Sequence, residues 1–486
     1  MPALHLSLRA QRVSFSYAER LLLDDVTFQL GRGWTGLVGA NGAGKTTLLR
    51  LLRGELRPTG GQLRVQPTGA RVRWCAQPVE VQDDDVVAFA WAQDRLARRL
   101  HGRLRLEPAT LERWPTLSPG ERKRWQLGTA LWSEPEVLLL DEPGNHLDTQ
   151  GLSILREALG EFGGVGLIVS HDRALLDGVT RATLRLDEGT ARLWQHPFSE
   201  ARELWLAEEA KTRDAQRETQ RRLRAQERKL DASRRTLAAS ERSRSAGARM
   251  KNRHDSDARG MGADFRAQMA ETAHAATARR VERKVGEVRA ALEQLEIRDE
   301  AGQAVFLRTE PCPHPTVVQF EGEVLGQRVS LQLGREEHVW LAGRNGSGKT
   351  TLLRRVPGEC RVPEAKRLVL PQELTVAEAQ DDLHALRSLD PEARGRVLQL
   401  VHALGVEPEH LLRSQAPSPG EARKLRLALG LSRPCWLAVL DEPTNHLDLP
   451  AIERLEAALR AFPGALLLVT HDEQLGAAVT SRRVQL

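Results

Sequence analysis

The 486-residue chain carries only four cysteines (Cys75, Cys312, Cys360 and Cys435), none of them in a CxxC spacing. That scatter excludes a zinc-ligand cluster or a disulfide framework and fits a reducing compartment. No run approaches the roughly eighteen apolar residues of a membrane-spanning helix. The first residues, MPALHLSLRAQRVSF, lack a basic segment followed by an apolar core and do not read as a secretory signal. These absences leave a cytoplasmic chain as the expectation. At 41% apolar and 28% charged residues the composition is that of a soluble globular protein. Its length suits about three structural units at roughly 150 residues each.

Charge is spread unevenly. Of 71 basic and 65 acidic residues, 24 basic and 17 acidic fall between Glu200 and Arg298, a net of +7. The remainder holds 47 basic and 48 acidic, a net of −1, so the basic excess sits in one middle fifth of the chain. A positive surface of that kind suits a polyanion, although a solvated spacer is the blander explanation.

Aligned on itself, the chain repeats. GANGAGKTT at Gly39 to Thr47 returns as GRNGSGKTT at Gly343 to Thr351, and SPGE at Ser118 returns at Ser418. DEPGNHLD ending at Asp148 returns as DEPTNHLD ending at Asp448, and VSHD at Val169 as VTHD at Val469. From Ser118 onward the offset stays at 300 residues; between Lys45 and Lys349 it is 304. Apolar runs such as Thr35 to Val38, Val137 to Leu140 and Gly166 to Val169, with helical patterns between them, predict an α/β fold on a parallel sheet in each copy. The expected boundaries are 1–198 and 301–486 for the two copies and 199–300 for the segment between them.

The middle segment differs in texture. From about Ser199 to Ser240 it has neither proline nor glycine, and Leu223, Leu230 and Leu237 recur at seven. Val281, Val285, Val288, Leu292 and Leu295 alternate at four and three, a coiled-coil seam. Three glycines between Ser243 and Asp264 predict a basic tip loop over 243–264 joining two long antiparallel helices. A first helix of about 40 residues spans roughly 60 Å, far more than a connection needs.

GxxxxGK[ST] between an apolar strand and a helix is the phosphate loop. Its glycines (Gly39, Gly42, Gly44; Gly343, Gly346, Gly348), with Asn41, Asn345, Thr47 and Thr351, let backbone N–H groups cradle phosphates. Lys45 and Lys349 are expected on the β/γ-phosphates, and the Thr46 and Thr350 hydroxyls on Mg²⁺. Asp141 and Asp441 close apolar runs, placing each carboxylate at a strand end beside the phosphates, where it holds the metal directly or through water. Glu142 and Glu442 are the candidates to polarise the attacking water. His171 and His471 follow apolar runs and are expected at the same sheet edge.

Phosphate loop, glutamine, Ser-x-Gly-Glu, Asp-Glu, Asn-His-Leu-Asp and histidine, in that order, resemble the ATP-binding cassette ATPases. The resemblance covers nearly all of the chain outside the middle segment. Two cassettes on one chain, no membrane domain, EP[TG]NHLD and a helical linker look like the ABC-F subfamily, whose members act on ribosomes. The implied fold is two P-loop cassettes joined by a long α-helical hairpin linker. The resemblance implies an ATP hydrolase with ATP and Mg²⁺, a monomer whose cassettes close head to tail around two ATP molecules. Lys45 would then face Ser418, Gly420 and Glu421, and Lys349 would face Ser118, Gly120 and Glu121. Gln77 and Gln372 match the glutamine that senses metal and water. Tyr17, the only tyrosine, matches the aromatic stacked on adenine, and Phe320 is its candidate in the second copy. Both signatures depart from the family with proline after serine, which removes one N–H donor. Gly144 stands where the second copy has Thr444, a departure that bears on the equivalence of the two sites. Neither gap between glutamine and signature serine has room for an added arm domain.

Lys211 to Arg253 holds 15 basic and 5 acidic residues, a net of +10 suited to the phosphates of a folded RNA. In the family this linker enters the tRNA exit site, contacts the peptidyl-site tRNA and points its loop at the peptidyl-transferase centre. The implied partner is therefore the 70S ribosome, through rRNA and peptidyl-site tRNA, with no membrane subunit. Arg249, Met250, Lys251, Asn252, Arg253, Met261 and Phe265 are the candidates for tip contact; packing of the hairpin end is the other role open to the two methionines and the phenylalanine. Antibiotic resistance by ribosome protection is the preferred subtype, because the tip is long and basic. A housekeeping factor for stalled ribosomes and, in a different class, a DNA-repair-type cassette ATPase are the alternatives.

Overall fold

In a computed structural model of the chain, residues 6–18, 20–77, 79, 81–145, 147–249, 257–293, 311–344 and 346–486 are described. They form two compact units: residues 1–201 with 300–486, which hold both copies of the repeat, and residues 202–299.

Each copy is built around a parallel sheet. In the first, six strands run in the order Val72–Cys75, Val137–Asp141, Val165–Val169, Gly33–Val38, Ala182–Asp187, Thr190–Trp194, and only the last pairs antiparallel. In the second, five parallel strands repeat the order: Arg367–Leu370, Leu437–Asp441, Ala465–Val469, His338–Ala342, Arg482–Gln485. The three central strands read as near-continuous apolar runs because both sheet faces are covered. Val137–Asp141 and Val165–Val169 are buried at every residue, as are their counterparts. An antiparallel sheet packs on the same core: three strands (Ser7–Tyr17, Arg20–Leu30, Gly60–Gln66) in the first copy and two (Thr316–Val324, Gln327–Gly334) in the second.

A helical layer carries the signature. In the first copy it packs around aromatic rings, with Trp125 fully buried and Phe89 5.9 Å from it, His101 between them in the cluster. In the second copy the same layer is aliphatic: Leu425, the residue at offset 300 from Trp125, packs with Leu383, Leu386, Val397 and Val401.

The other unit is two long helices, Phe198–Arg249 with 52 residues and Asp257–Glu293 with 37. The longer one spans about 78 Å at 1.5 Å per residue. Arg234 pairs with Glu282 at 2.7 Å and Arg289 with Glu227 at 3.1 Å, so advancing along one helix means retreating along the other. The helices are therefore antiparallel, as the heptads predict. Of the seam residues, Leu230 and Val285 are buried, and Leu223, Leu237, Val281, Val288 and Leu292 are half-buried. Leu295 lies outside the described residues.

The tip loop expected over 243–264 is narrower. Helix continues through Gly247 to Arg249 and resumes at Asp257, taking in Gly260 and Gly262. A helical glycine costs only about 1 kcal/mol relative to alanine, which surrounding alanine and arginine residues offset. Arg249 thus ends the first helix, and Met261 and Phe265 lie within the second. Met250, Lys251, Asn252 and Arg253 lie outside the described residues. No helix among the described residues is long and apolar enough to cross a membrane.

Candidate active sites at the strand ends

The carboxyl ends of the central strands converge on one polar cavity of about 1280 Å³, lined by both copies. Strand Gly33–Val38 delivers the first phosphate loop into it. Gly44 there has φ 97° and caps helix Lys45–Arg53; a Cβ would sit 3.2 Å from Leu22, so the turn needs glycine for both conformation and room. Gly39 has a still closer neighbour, the Leu186 carbonyl oxygen 2.4 Å from a would-be Cβ. Lys45 bends back over the loop and donates to the Gly39 and Ala40 carbonyls at 2.8 and 3.0 Å. Lys349 does the same to Gly343 and Arg344 at 2.7 and 2.8 Å. Both ammonium groups are buried, which lowers their pKa.

Asp141 and Asp441 end their strands, directly opposite Val169 and Val469. The Thr46 hydroxyl donates to Asp141 at 3.1 Å, and Thr350 likewise bonds Asp441. Burial raises the pKa of both aspartates. One Asp441 carboxylate oxygen is buried without a hydrogen-bond partner, and an oxygen pair of this kind fits a hard divalent cation such as Mg²⁺.

The next residues, Glu142 and Glu442, have φ 49° and 48° although neither is glycine. Such a left-handed backbone costs of order 1–3 kcal/mol and is held here by Glu142 N–H donating to Val169 O at 3.0 Å, and Glu442 to Val469 at 2.9 Å. Both carboxyls are pushed up to about 8, first by burial. His171 Nε2 lies 3.1 Å from Glu142, and His471 Nε2 3.4 Å from Glu442. Burial, and then the charge of Lys45, push His171 down to about 3, so its imidazole is neutral.

The signature serines begin helices Pro119–Trp132 and Pro419–Leu431 in full capping boxes: Glu121 N–H donates to Ser118 at 3.2 Å, while Ser118 N–H donates to Glu121 at 2.8 Å. The proline takes the first helical position, where an N–H has no intrahelical partner. Its effect on the fold is therefore small, and Glu121 and Glu421 have a structural task in holding the turn.

The two copies touch beside the cavity. Asn41 N–H donates to Asp448 at 2.6 Å and its amide to His446 O at 3.4 Å, while Arg344 donates to Gln150 at 2.8 Å. Each phosphate loop thus touches the Asn-His-Leu-Asp segment, or the residues just after it, of the other copy. Thr47, Thr351, Gln77, Gln372, Ser118, Ser418, Gly420, Glu421, Gly42, Gly346 and Gly348 also line the cavity; Gly39, Gly343, Gly120 and Glu121 are not among its lining residues. Asn345 lies outside the described residues.

Two expected base-stacking residues fare differently. Tyr17 is half exposed, set edge-on to Phe15 at 4.9 Å, and outside the cavity lining. Phe320 is buried, with the backbone of Gly322 against its ring, so it is a core residue and presents no face to a ligand. The spacing misled because the second copy turns at Leu325-Gly326, and exposed Leu325 lines the cavity instead.

Sequence reasoning missed Lys123 and Arg423, three residues past Gly120 and Gly420. Lys123 Nζ donates to Ala76 O at 2.5 Å and approaches the Gln77 and Asp141 carbonyls at 3.4 and 3.5 Å. Arg423 bonds Pro371 and Gln372 at 2.7 and 2.5 Å, and Asp441 and Glu442 at 3.0 and 2.7 Å. A buried cation thus ties the glutamine loop to the acidic strand end in each copy. Basic residues in register at 123 and 423 were the available signal.

A family model described as "ABC transporter" matches residues 23–145 and 326–445, once in each copy. The tylosin resistance ATP-binding protein TlrC of Streptomyces fradiae is 32% identical over 561 aligned positions, covering 100% of this chain and 98% of the relative. The chain belongs to the ABC-F subfamily of ATP-binding cassette ATPases. It is an ATP-hydrolysing enzyme. The ribosome protection protein VmlR of Bacillus subtilis is 28% identical to this ABC-F ATPase, over 95% of this chain and 83% of the relative. Among solved structures, the RNase-L Inhibitor superposes with a TM-score of 0.57 at 17% identity, over 98% of this chain and 87% of that one, a likeness of fold.

Proposed function

We propose that this ATPase binds the ribosome when two ATP molecules close its cassettes, and that its hairpin acts from the tRNA exit site on the peptidyl-site tRNA and peptidyl-transferase region. Its biological outcome is antibiotic resistance by ribosome protection. The observation that carries this reading is similarity along the whole chain, hairpin included, to a protein named for tylosin resistance. The name of VmlR, a ribosome protection protein, supports the same direction. The net charge of +10 from Lys211 to Arg253 supplies the affinity for RNA backbone.

In the chemical step Glu142 and Glu442 orient and deprotonate the attacking water, and neutral His171 and His471 hold those carboxylates and the γ-phosphate in register. Lys45, Lys349 and the loop N–H groups carry the phosphate charge. Thr46, Asp141 and Gln77, with Thr350, Asp441 and Gln372, would hold Mg²⁺, which would supply charge neutralisation on the phosphate oxygens. Ser418 and Gly420 complete the first site, and Ser118 and Gly120 the second. Tyr17 stacks on adenine at the first site.

The test is co-sedimentation of Glu142→Gln/Glu442→Gln chains with 70S particles in ATP, alongside a drug-susceptibility panel in a sensitised bacterium with and without the gene. ATP-dependent pelleting with ribosomes and protection against at least one peptidyl-transferase drug are expected. Binding to DNA and not to ribosomes would defeat the proposal.

A further inference from the structure

Arg173 follows the His171-Asp172 pair and is buried, an unusual place for an arginine. Its guanidinium crosses to the other cassette. Nη2 lies 2.8 Å from Glu456 and 3.8 Å from Asp472. Glu456 is held in turn by Arg460 of its own helix at 2.8 Å. The Asp172 carboxyl is raised by burial and, further, by the charge of Asp472. Two aspartates from matching positions of the repeat therefore approach each other where the cassettes meet, and Arg173 is the cation set between the copies there.

The repeat shows that this contact is polarised. At the constant offset of 300, Arg156 matches Glu456 and Arg173 matches Glu473. At both interface positions the first cassette carries arginine and the second glutamate. Asp172 and Asp472 are the same in both. Helix Arg173–Val179 packs on helix Glu473–Val479. The matching residues Arg156 and Glu473 are exposed, so Arg173–Glu456 is the contact that carries the polarity.

We infer that this reversal is a pairing code, which makes a first cassette accept a second cassette and reject another first. In a head-to-tail pair of two first cassettes, Arg173 would meet Arg156. In a pair of two second cassettes, Glu473 would meet Glu456 beside Asp472. Only the mixed pair sets opposite charges together, and like charges across a desolvated contact cost more than opposite ones return. The code excludes pairing of like cassettes between chains, and the tether that joins one cassette of each kind raises the effective concentration of the matching partner on the same chain.

The experiment uses the full-length chain and reads ATP hydrolysis with no partner present, with thermal unfolding as the check on fold. Arg156→Glu/Arg173→Glu makes both sides acidic and lowers hydrolysis at least about tenfold. Adding Glu456→Arg/Glu473→Arg inverts the code and restores hydrolysis to within about threefold of the parent. A four-residue exchange as slow as the two-residue one, or a two-residue exchange without effect, overturns the inference. Should the acidic variant not fold, Arg173→Gln and Glu456→Gln replace it: a double variant no slower than either single supports the pairing, and independent, multiplying losses overturn it.

Discussion

The two cassettes reach one sheet order and one arrangement of catalytic groups with different supporting side chains. The first packs its signature helix on Trp125 and Phe89, braces the glutamine loop with Lys123 and has Gly144 after Pro143. The second packs the same helix on leucines and valines, braces with Arg423 and has Thr444. The glutamates after the strand ends share a left-handed backbone, φ 49° and 48°, and each has its histidine within 3.1 or 3.4 Å. The difference teaches that duplication has kept the groups that meet nucleotide while letting their braces drift. Any inequality between the sites should therefore be sought one layer behind the chemistry.

The largest expected effect sharpens that comparison. Glu142→Gln and Glu442→Gln together should lower hydrolysis by about 10²–10⁴, the range for loss of a general base, while nucleotide binding survives. The two single variants, assayed by turnover, report how the sites divide the work; equal losses would show that drift in the braces leaves the chemistry even. Next come the braces. Arg423→Met strands four carbonyls and should cost about 3–5 kcal/mol in chemical denaturation, against about 2 kcal/mol for Lys123→Met, which loses one short bond and two long ones. A smaller effect is expected at Gly144→Thr, because a Cβ there lies 3.0 Å from Leu152 and 3.3 Å from Leu175. Overpacking of that size costs about 1–3 kcal/mol, whereas Thr444→Gly should cost about 1 kcal/mol or less.

The pH dependence applies to both sites. Carboxyls pushed up to about 8 bind protons in the folded chain that the unfolded chain has released above its ordinary carboxylate range. Stability of the nucleotide-free protein should therefore fall as pH rises from about 4.5 to 8. His171, pushed down to about 3, acts oppositely, removing stability as pH falls below about 6.5. Hydrolysis should rise with pH as Glu142 and Glu442, held above the usual carboxylate range by burial, ionise. A pH–rate profile flat from 6 to 9 would contradict that assignment.

Much of this is legible in the sequence. Phosphate loop, acidic strand end and histidine are local in sequence, and the parallel sheet brings strand ends together whatever else the chain does. Gln77 and Ser118 were placed by resemblance and line the cavity as expected. Lys123 was not legible, since a lysine on a helix is ordinarily solvated and its partners are backbone carbonyls without sequence identity. Phe320 failed because one indel moves a strand residue from rim to core. The hairpin's extent failed at its tip, where glycines weaken a long helix without ending it.

The central claim is that nucleotide-driven cassette closure seats a cationic helical hairpin in ribosomal RNA. A cryo-EM map of Glu142→Gln/Glu442→Gln chains bound with ATP to 70S particles tests it most directly. Hairpin density is expected in the tRNA exit site, with the end near Arg249 against the peptidyl-site tRNA. Closed cassettes on the particle with the hairpin away from RNA, or particles that never retain the protein, would contradict it.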